Sequence, residues 1–141
     1  MFGSNRSSVD AATLGEIEFF SGFDGSDLRR IAELADSRTV ESGAVLMEQG
    51  RVGLECYVIR SGRARVFVGD EYVATLEPGS MVGEMALVSH LPRVATVVAI
   101  TPMELLVFDV KHFRTLLDEL PEAAGRVTRL LSERGSGPEP A

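Results

Sequence analysis

Residues 78–99 read PGSMVGEMALVSHLPRVATVVA. A glycine-led turn comes first, then GEMALV, which predicts a short helix, and then a loop that ends at Arg93. Gly83 allows the backbone to approach a ligand closely, and the N–H groups at the start of a helix attract an anion. The planar donors of Arg93 suit phosphate oxygens, whereas the Glu84 carboxylate only accepts hydrogen bonds and suits a sugar hydroxyl. This stretch therefore predicts a pocket for a small sugar phosphate.

Short β-branched runs separated by glycines surround this stretch, from Ser37 to Phe108. Such runs are typical of strands joined by turns. The alternation over residues 64–68, followed by a Gly-Asp turn at 69–70, predicts a β-hairpin. Residues 94–100 and 103–108 are almost wholly apolar, which predicts central strands covered on both faces.

Helical patterns lie before and after the strands. Asp24 or Ser26 is expected to cap a helix that continues to Ala35. Asp109 is expected to cap another helix, and Pro121 suits the first turn of a third. This order of a helix, many strands and two helices predicts a double-sheet β-roll with helices at its ends.

Composition bounds the domain organisation and the class of protein. The chain has 141 residues, 45% of them apolar, which is enough for one domain. Residues 1–8 and 135–141 are polar or rich in Gly and Pro and are predicted to be disordered tails, so the folded domain is expected at residues 9–134. A net charge of −7 argues against partners such as nucleic acid or anionic lipid.

Targeting signals and cysteines bear on the compartment. The chain starts without a signal-peptide pattern and has no apolar run long enough to span a membrane, so the sequence predicts a cytoplasmic protein. Its one cysteine, Cys56, forms no intrachain disulfide, and zinc-type Cys/His spacings are absent.

Two short motifs in the opening stretch resemble a known family. Gly-Glu-x-Ala-Leu at 83–87 and Pro-Arg-x-Ala-Thr-Val at 92–97 are similar, in residues and in interval, to the phosphate-binding cassette of the cyclic nucleotide-binding domain family. Glycines and strand residues between Gly50 and Gly62 extend the resemblance to roughly residues 14–134. The resemblance implies an α+β, mainly β fold: an eight-stranded double-sheet, jelly-roll-like β-roll with N-terminal helices, a short cassette helix and two C-terminal helices.

The resemblance also implies a role for individual residues. Glu84 would accept a hydrogen bond from the ribose 2′-hydroxyl, and Arg93 would pair with the cyclic phosphate. Backbone N–H groups around Ala86 and Ala95 would complete the phosphate cradle. In the family a hydroxyl residue directly after the arginine favours guanine; Val94 stands there, so the expected ligand is cAMP, with cGMP as the alternative. The candidate ligand-binding residues are Val82, Gly83, Glu84, Met85, Ala86, Arg93, Val94 and Ala95.

The leading functional hypothesis is a cAMP-preferring regulatory sensor that acts on a separate, unidentified protein. Few residues follow Leu131, so the sequence predicts no DNA-binding domain. No catalytic residue, metal ligand or cofactor is predicted, and the chain is not expected to be an enzyme. The apolar stripe of the last helix packs either inward or against a second copy in a homodimer.

Two other hypotheses remain. In the first, the domain has lost nucleotide binding and serves as a protein interaction module, which Val94 supports. In the second, it is a small β-barrel enzyme of the cupin kind. The second is disfavoured because such enzymes need clustered metal-binding histidines, and this chain has only His90 and His112, at dissimilar positions.

Overall fold

Residues 3–5 and 9–135 are described by the computed structural model of the protein, without the side chains of residues 3–5, 89, 134 and 135. Residues 136–141, most of the predicted C-terminal tail, lie outside the described residues, as do residues 1, 2 and 6–8. Of the predicted N-terminal tail, Gly3–Asn5 forms a short strand, β1, at the edge of a sheet. Pairing by backbone groups alone requires no apolar side chain, so the polar composition of residues 1–8 does not reveal this strand. The domain limits at residues 9 and 134 stay predictions.

The helices predicted to follow Asp24 and Asp109 and to start at Pro121 begin at those positions. The N-terminal ones are α1 (Ala11–Leu14), a 3-10 turn (Glu18–Phe20) and α2 (Gly25–Leu34). Of the two candidate caps for α2, the Asp24 carboxylate is the one that accepts from the Asp27 N–H, at 2.8 Å.

The C-terminal helices are α4 (Val110–Glu119) and α5 (Pro121–Gly135). The Asp109 carboxylate caps α4 by accepting from the His112 N–H at 2.8 Å. The short helix predicted within residues 78–99 is α3 (Glu84–Ser89).

Eight further strands, all between residues 36 and 109, form two antiparallel sheets of four, and β1 extends the first. They are β2 (Asp36–Val40), β3 (Val45–Met47), β4 (Glu55–Ser61), β5 (Ala64–Val68), β6 (Glu71–Leu76), β7 (Met81–Val82), β8 (Thr96–Ala99) and β9 (Met103–Asp109). The first sheet has the order β1-β2-β9-β4-β7 and the second β3-β8-β5-β6. This arrangement confirms the predicted β-roll with flanking helices, and the pairing of β5 with β6 confirms the hairpin.

The core has two layers, which share the first sheet. Leu106 and Phe108 of β9 pack with the helices, whereas Leu105 and Val107 face the second sheet. The prediction that residues 103–108 are covered on both faces therefore holds, except at the exposed Glu104.

For residues 94–100 the predicted central position is correct, because β8 lies between β3 and β5, but the prediction of cover on both faces was wrong. Val97 and Ala99 are buried between the sheets, but Val98, on the other face of β8, is half-buried, and Val94, which precedes β8, is exposed. The helical side of the core packs on the first sheet, so the outer face of β8 has no such cover. Apolar composition alone did not distinguish a strand covered on both faces, residues 103–108, from one covered on a single face, residues 94–100. No helix among the described residues has the length and apolar character to cross a bilayer.

Candidate functional site

Residues 78–99 connect β7 of the first sheet to β8 of the second through α3. Gly83, with φ of +89°, is the N-cap of α3 and has no side chain to occupy the N–H groups of the first turn. His90 ends the helix in a left-handed conformation, φ 62°, and its N–H donates to the Ala86 carbonyl oxygen at 3.0 Å. Histidine is one of the few non-glycine residues enriched in this conformation. The structure thus gives His90 a role in ending the cassette helix.

Arg93 is almost completely buried, with only 6% of its surface exposed. Its Nη1 donates to the Gly83 carbonyl oxygen at 2.8 Å and its Nη2 to that of Glu55 at 2.6 Å. Its backbone N–H donates to the Arg51 carbonyl oxygen at 2.8 Å, and its own carbonyl oxygen accepts from the Gly50 N–H at 2.9 Å. Both ends of the residue are therefore held by main-chain groups.

The charge of Arg93 is poorly solvated. Burial lowers the pKa of Arg93, and the attraction of the nearby carboxylates of Glu55 and Glu84 offsets this only in part. An arginine remains protonated in proteins, so the consequence is a buried positive charge and not a neutral side chain. An anionic ligand that pairs with it would recover part of the lost solvation.

Two glycines make room for the guanidinium. A Cβ added to Gly83 would lie 2.7 Å from Nη1 of Arg93. A Cβ added to Gly53 would lie 2.6 Å from the Ala86 Cβ and 3.2 Å from Cζ of Arg93. The position of Arg93 beside α3 thus requires small residues on both sides.

Gly83→Ala is expected to disturb the site beyond the ordinary strain of a left-handed residue. Gly43 is a matched control, because its φ is +91° and a Cβ there would meet nothing within 4 Å. Gly43→Ala should lower the free energy of unfolding by about 1–2 kcal/mol, the cost of a left-handed conformation for a residue with a Cβ. Gly83→Ala should lower it further and also displace Arg93, measured by chemical denaturation and by nucleotide titration. Equal behaviour of the two variants would contradict this account of Gly83.

A cavity of about 630 Å³ lies against Arg93. Residues of β3, of the connection to β4, and Glu55 and Tyr57 of β4 form the rest of its wall. The volume falls in the range of sites for small molecules and cofactors. A second cavity, about 670 Å³, lies between the 3-10 turn, the β6–β7 connection and α5, and contains none of the predicted site residues. We assign the site to the first cavity because the buried cation lies there.

The remaining predicted residues are placed unevenly. Glu84 is fully buried and does not line the Arg93 cavity. Its carboxylate is close enough to Arg93 for the two charges to attract each other. Met85 is half-buried, and Val94 is 44% exposed. The structure therefore joins Gly83 to Arg93 and leaves Glu84 enclosed. The buried members of the predicted set are Val82, Gly83, Glu84, Ala86, Arg93 and Ala95.

Sequence reasoning missed a polar network on the wall of the same cavity. Arg38 of β2 donates from Nη1 and Nη2 to the two carboxylate oxygens of Glu55, both at 2.9 Å. The Tyr57 hydroxyl lies 3.0 Å from Glu55 Oε1 and from the Leu46 carbonyl oxygen. Arg38 and Glu55 are 17 residues apart and lie on strands separated by β9, so no local motif signals the pair.

No group of three or more His, Cys, Asp or Glu side chains suited to a metal ion occurs in the described part of the chain. The chemistry of the site is that of a buried cation, main-chain groups and carboxylates.

Comparison with known proteins identifies the family. The family described as the cyclic nucleotide-binding domain matches residues 37–119, which include the strands from β3 to β9, the cassette and α4. The chain belongs to the cyclic nucleotide-binding domain family. The resemblance carried by residues 83–97 is thereby confirmed.

Individual relatives are similar over most of this domain. Acetyltransferase Pat of Mycolicibacterium smegmatis is 38% identical over 89% of this chain and 39% of its own length. A cAMP-dependent protein kinase regulatory subunit of Yarrowia lipolytica is 33% identical over 79% of this chain and 30% of its own. The crystal structure of the Thermus thermophilus catabolite activator protein has a TM-score of 0.75 and 28% identity, over 83% of this chain and 57% of that one. The cyclic nucleotide-binding domain described here thus spans less than half the length of both curated relatives.

Proposed function

We propose that this cyclic nucleotide-binding domain binds cAMP in preference to cGMP and acts as a regulatory sensor on a separate protein. The observation that carries the proposal is the buried guanidinium of Arg93, which two carbonyl oxygens hold against a cavity of nucleotide size. The relative named as a cAMP-dependent kinase regulatory subunit supports both the ligand and the regulatory role.

In this proposal the cyclic phosphate pairs with Arg93. The carbonyl oxygens of Gly83 and Glu55 fix the plane of the guanidinium, so little side-chain entropy is lost when the phosphate binds. Backbone N–H groups around Ala86 and Ala95 complete the phosphate cradle.

Glu84 takes the ribose 2′-hydroxyl in the same proposal. Its carboxylate is enclosed in this conformation, so contact with the ribose requires the cassette to shift. Such a shift gives the ligand different contacts in two conformations, which is the physical requirement for a sensor.

Val94 is proposed to account for the preference for adenine. It lacks the hydroxyl that would donate to a guanine, and its side chain is exposed, so a hydroxyl at this position costs no core packing. Val94→Thr should raise the affinity for cGMP relative to cAMP, measured by competition titration. Val98→Thr, at a half-buried valine within β8, is the control and should leave the ratio unchanged. An unchanged ratio in Val94→Thr as well would remove the case for adenine preference.

The proposed output is regulation of a partner and not catalysis by this domain. The acetyltransferase relative matches this chain over only 39% of its own length, so the shared part does not by itself account for that activity. The name of the kinase relative, a regulatory subunit, is the support for action on another protein.

A second candidate is an interaction module that has lost nucleotide binding. It is favoured by exposed apolar side chains near the cassette, a property expected of a protein-binding surface. These are Val52, Leu54, Leu91 and Val94.

Thermal unfolding with added nucleotide separates the two candidates. A ligand that binds only the folded state raises the unfolding midpoint with its concentration. We expect cAMP to raise the midpoint more than cGMP, and 5′-AMP, which lacks the cyclic phosphate, to have little effect. No shift with any nucleotide at millimolar concentration would favour the interaction module.

A further inference from the structure

The network of Arg38, Glu55 and Tyr57 places a carboxylate on the wall of the Arg93 cavity. Glu55 contributes to that wall, and its own carbonyl oxygen accepts from Arg93 Nη2. A phosphate bound to Arg93 would therefore lie close to a second, negative group. Like charges at short range in a partly buried site repel strongly, so this carboxylate would oppose the ligand unless its charge is balanced.

Arg38 supplies that balance. Its bidentate contact occupies both carboxylate oxygens of Glu55, and both side chains are largely shielded from solvent. The groups that face this carboxylate are Arg38 from β2, Tyr57 from β4 and Arg93 from the cassette. The hydrogen bond from Arg38 is the main reason that the pKa of Glu55 is lowered, against the effect of burial.

Tyr57 contacts the same carboxylate from β4. Burial, with a smaller effect of Glu55, raises the pKa of Tyr57 to about 12, so its hydroxyl remains a donor at neutral pH. The single proton of this hydroxyl has two acceptors at 3.0 Å, Glu55 Oε1 and the carbonyl oxygen of Leu46 in β3, and is shared between them. The side chains that contact the Glu55 carboxylate from β2 and β4 therefore lie outside the cassette.

We propose that Arg38, a residue of β2 outside the cassette, is a positioning residue for the anion site: it neutralises Glu55 and fixes where its carboxylate lies on the cavity wall. The inference rests on the proposed binding of a cyclic nucleotide at Arg93. It assigns an influence on affinity to a strand residue that the cassette motifs do not include.

The test compares the two partners of the ion pair. Arg38→Met leaves the Glu55 charge unbalanced and should weaken cAMP binding about tenfold, the effect of a modest like-charge repulsion. Glu55→Gln keeps the shape and an acceptor for Arg38 but removes the negative charge, so binding should be unchanged or tighter. A purely structural ion pair would weaken binding in both variants. Arg65→Met, an exposed strand arginine on β5, is the matched control and should bind as the unaltered protein does.

The pH profile gives a readout that lost packing would not produce. Without Arg38 the pKa of Glu55 rises, and the carboxyl group becomes neutral as the pH falls. Binding to Arg38→Met should therefore strengthen between pH 7.5 and pH 5, while the unaltered protein, whose Glu55 pKa is lowered, stays nearly constant. If Arg38→Met does not fold, Arg38→Met combined with Glu55→Gln replaces it and should bind within about threefold of the unaltered protein, by the same charge balance.

The outcomes separate the two proposals. If the unaltered protein binds no cyclic nucleotide, the proposed function is wrong. If it binds, but Arg38→Met binds equally well, or Glu55→Gln weakens binding as much as Arg38→Met does, or the double variant binds far more weakly than the unaltered protein, the role of Arg38 is wrong and the proposed function stands.

Discussion

Arg93→Ala is expected to weaken cAMP binding by roughly 2–5 kcal/mol, the usual effect of removing one partner of a buried charge pair. That is about thirtyfold or more in the dissociation constant. The loss has two sources. The phosphate loses its cation, and the carbonyl oxygens of Gly83 and Glu55 lose the donors that connect the cassette to β4.

The controls for Arg93→Ala separate charge from geometry. Arg93→Lys keeps a positive charge but has no planar fork to serve two carbonyl oxygens and a phosphate at once, so its affinity should be intermediate. Arg65→Ala, on the exposed face of β5, should bind normally. Circular dichroism at the assay temperature checks that each variant is folded. A folded Arg93→Ala with unaltered affinity would show that the phosphate binds elsewhere.

Glu84→Ala has the second large expected effect, and its size depends on the sugar. A hydrogen bond to a charged group contributes about 1.5–3 kcal/mol, so the variant should bind cAMP roughly ten- to a hundredfold more weakly. Binding of 2′-deoxy-cAMP should hardly change, because that ligand lacks the hydroxyl that Glu84 would accept from. Calorimetric titration of both proteins with both ligands measures the coupling.

Burial makes this comparison necessary. Glu84 is fully enclosed, so its removal also alters packing and the charge near Arg93. Those effects act on both ligands alike, whereas loss of a ribose contact affects only cAMP. Glu48→Ala is the control: Glu48 lines the Arg93 cavity at its exposed edge, and its removal should not discriminate between the sugars. Equal losses for both ligands in Glu84→Ala would assign Glu84 a structural role.

Local signals in the sequence were sufficient for most of the fold. Asp24 and Asp109 mark helix starts because a side-chain oxygen near the first turn satisfies an exposed N–H. The hairpin over residues 64–76 follows from alternation and a turn of two residues. The sequence did not predict that β8 is covered on only one face. Burial of its outer face depends on which sheet the helices pack against, and they pack against the first.

The sequence likewise predicted one part of the candidate site and missed another. Gly83 and Arg93 belong to motifs of adjacent residues, and the structure brings them within 2.8 Å. The part played by Glu55 depends on its backbone oxygen and on Arg38, which lies across β9. Contacts of that kind depend on strand order and register, which a single sequence does not reveal.

The central claim is that a cyclic phosphate binds at Arg93. Its most direct test is calorimetric titration of the unaltered protein and of Arg93→Ala with cAMP at the same salt concentration. The account predicts saturable binding of one cAMP per chain to the unaltered protein and a loss of about thirtyfold or more in the variant. No heat of binding at millimolar cAMP, or equal affinity of the two proteins, would contradict it.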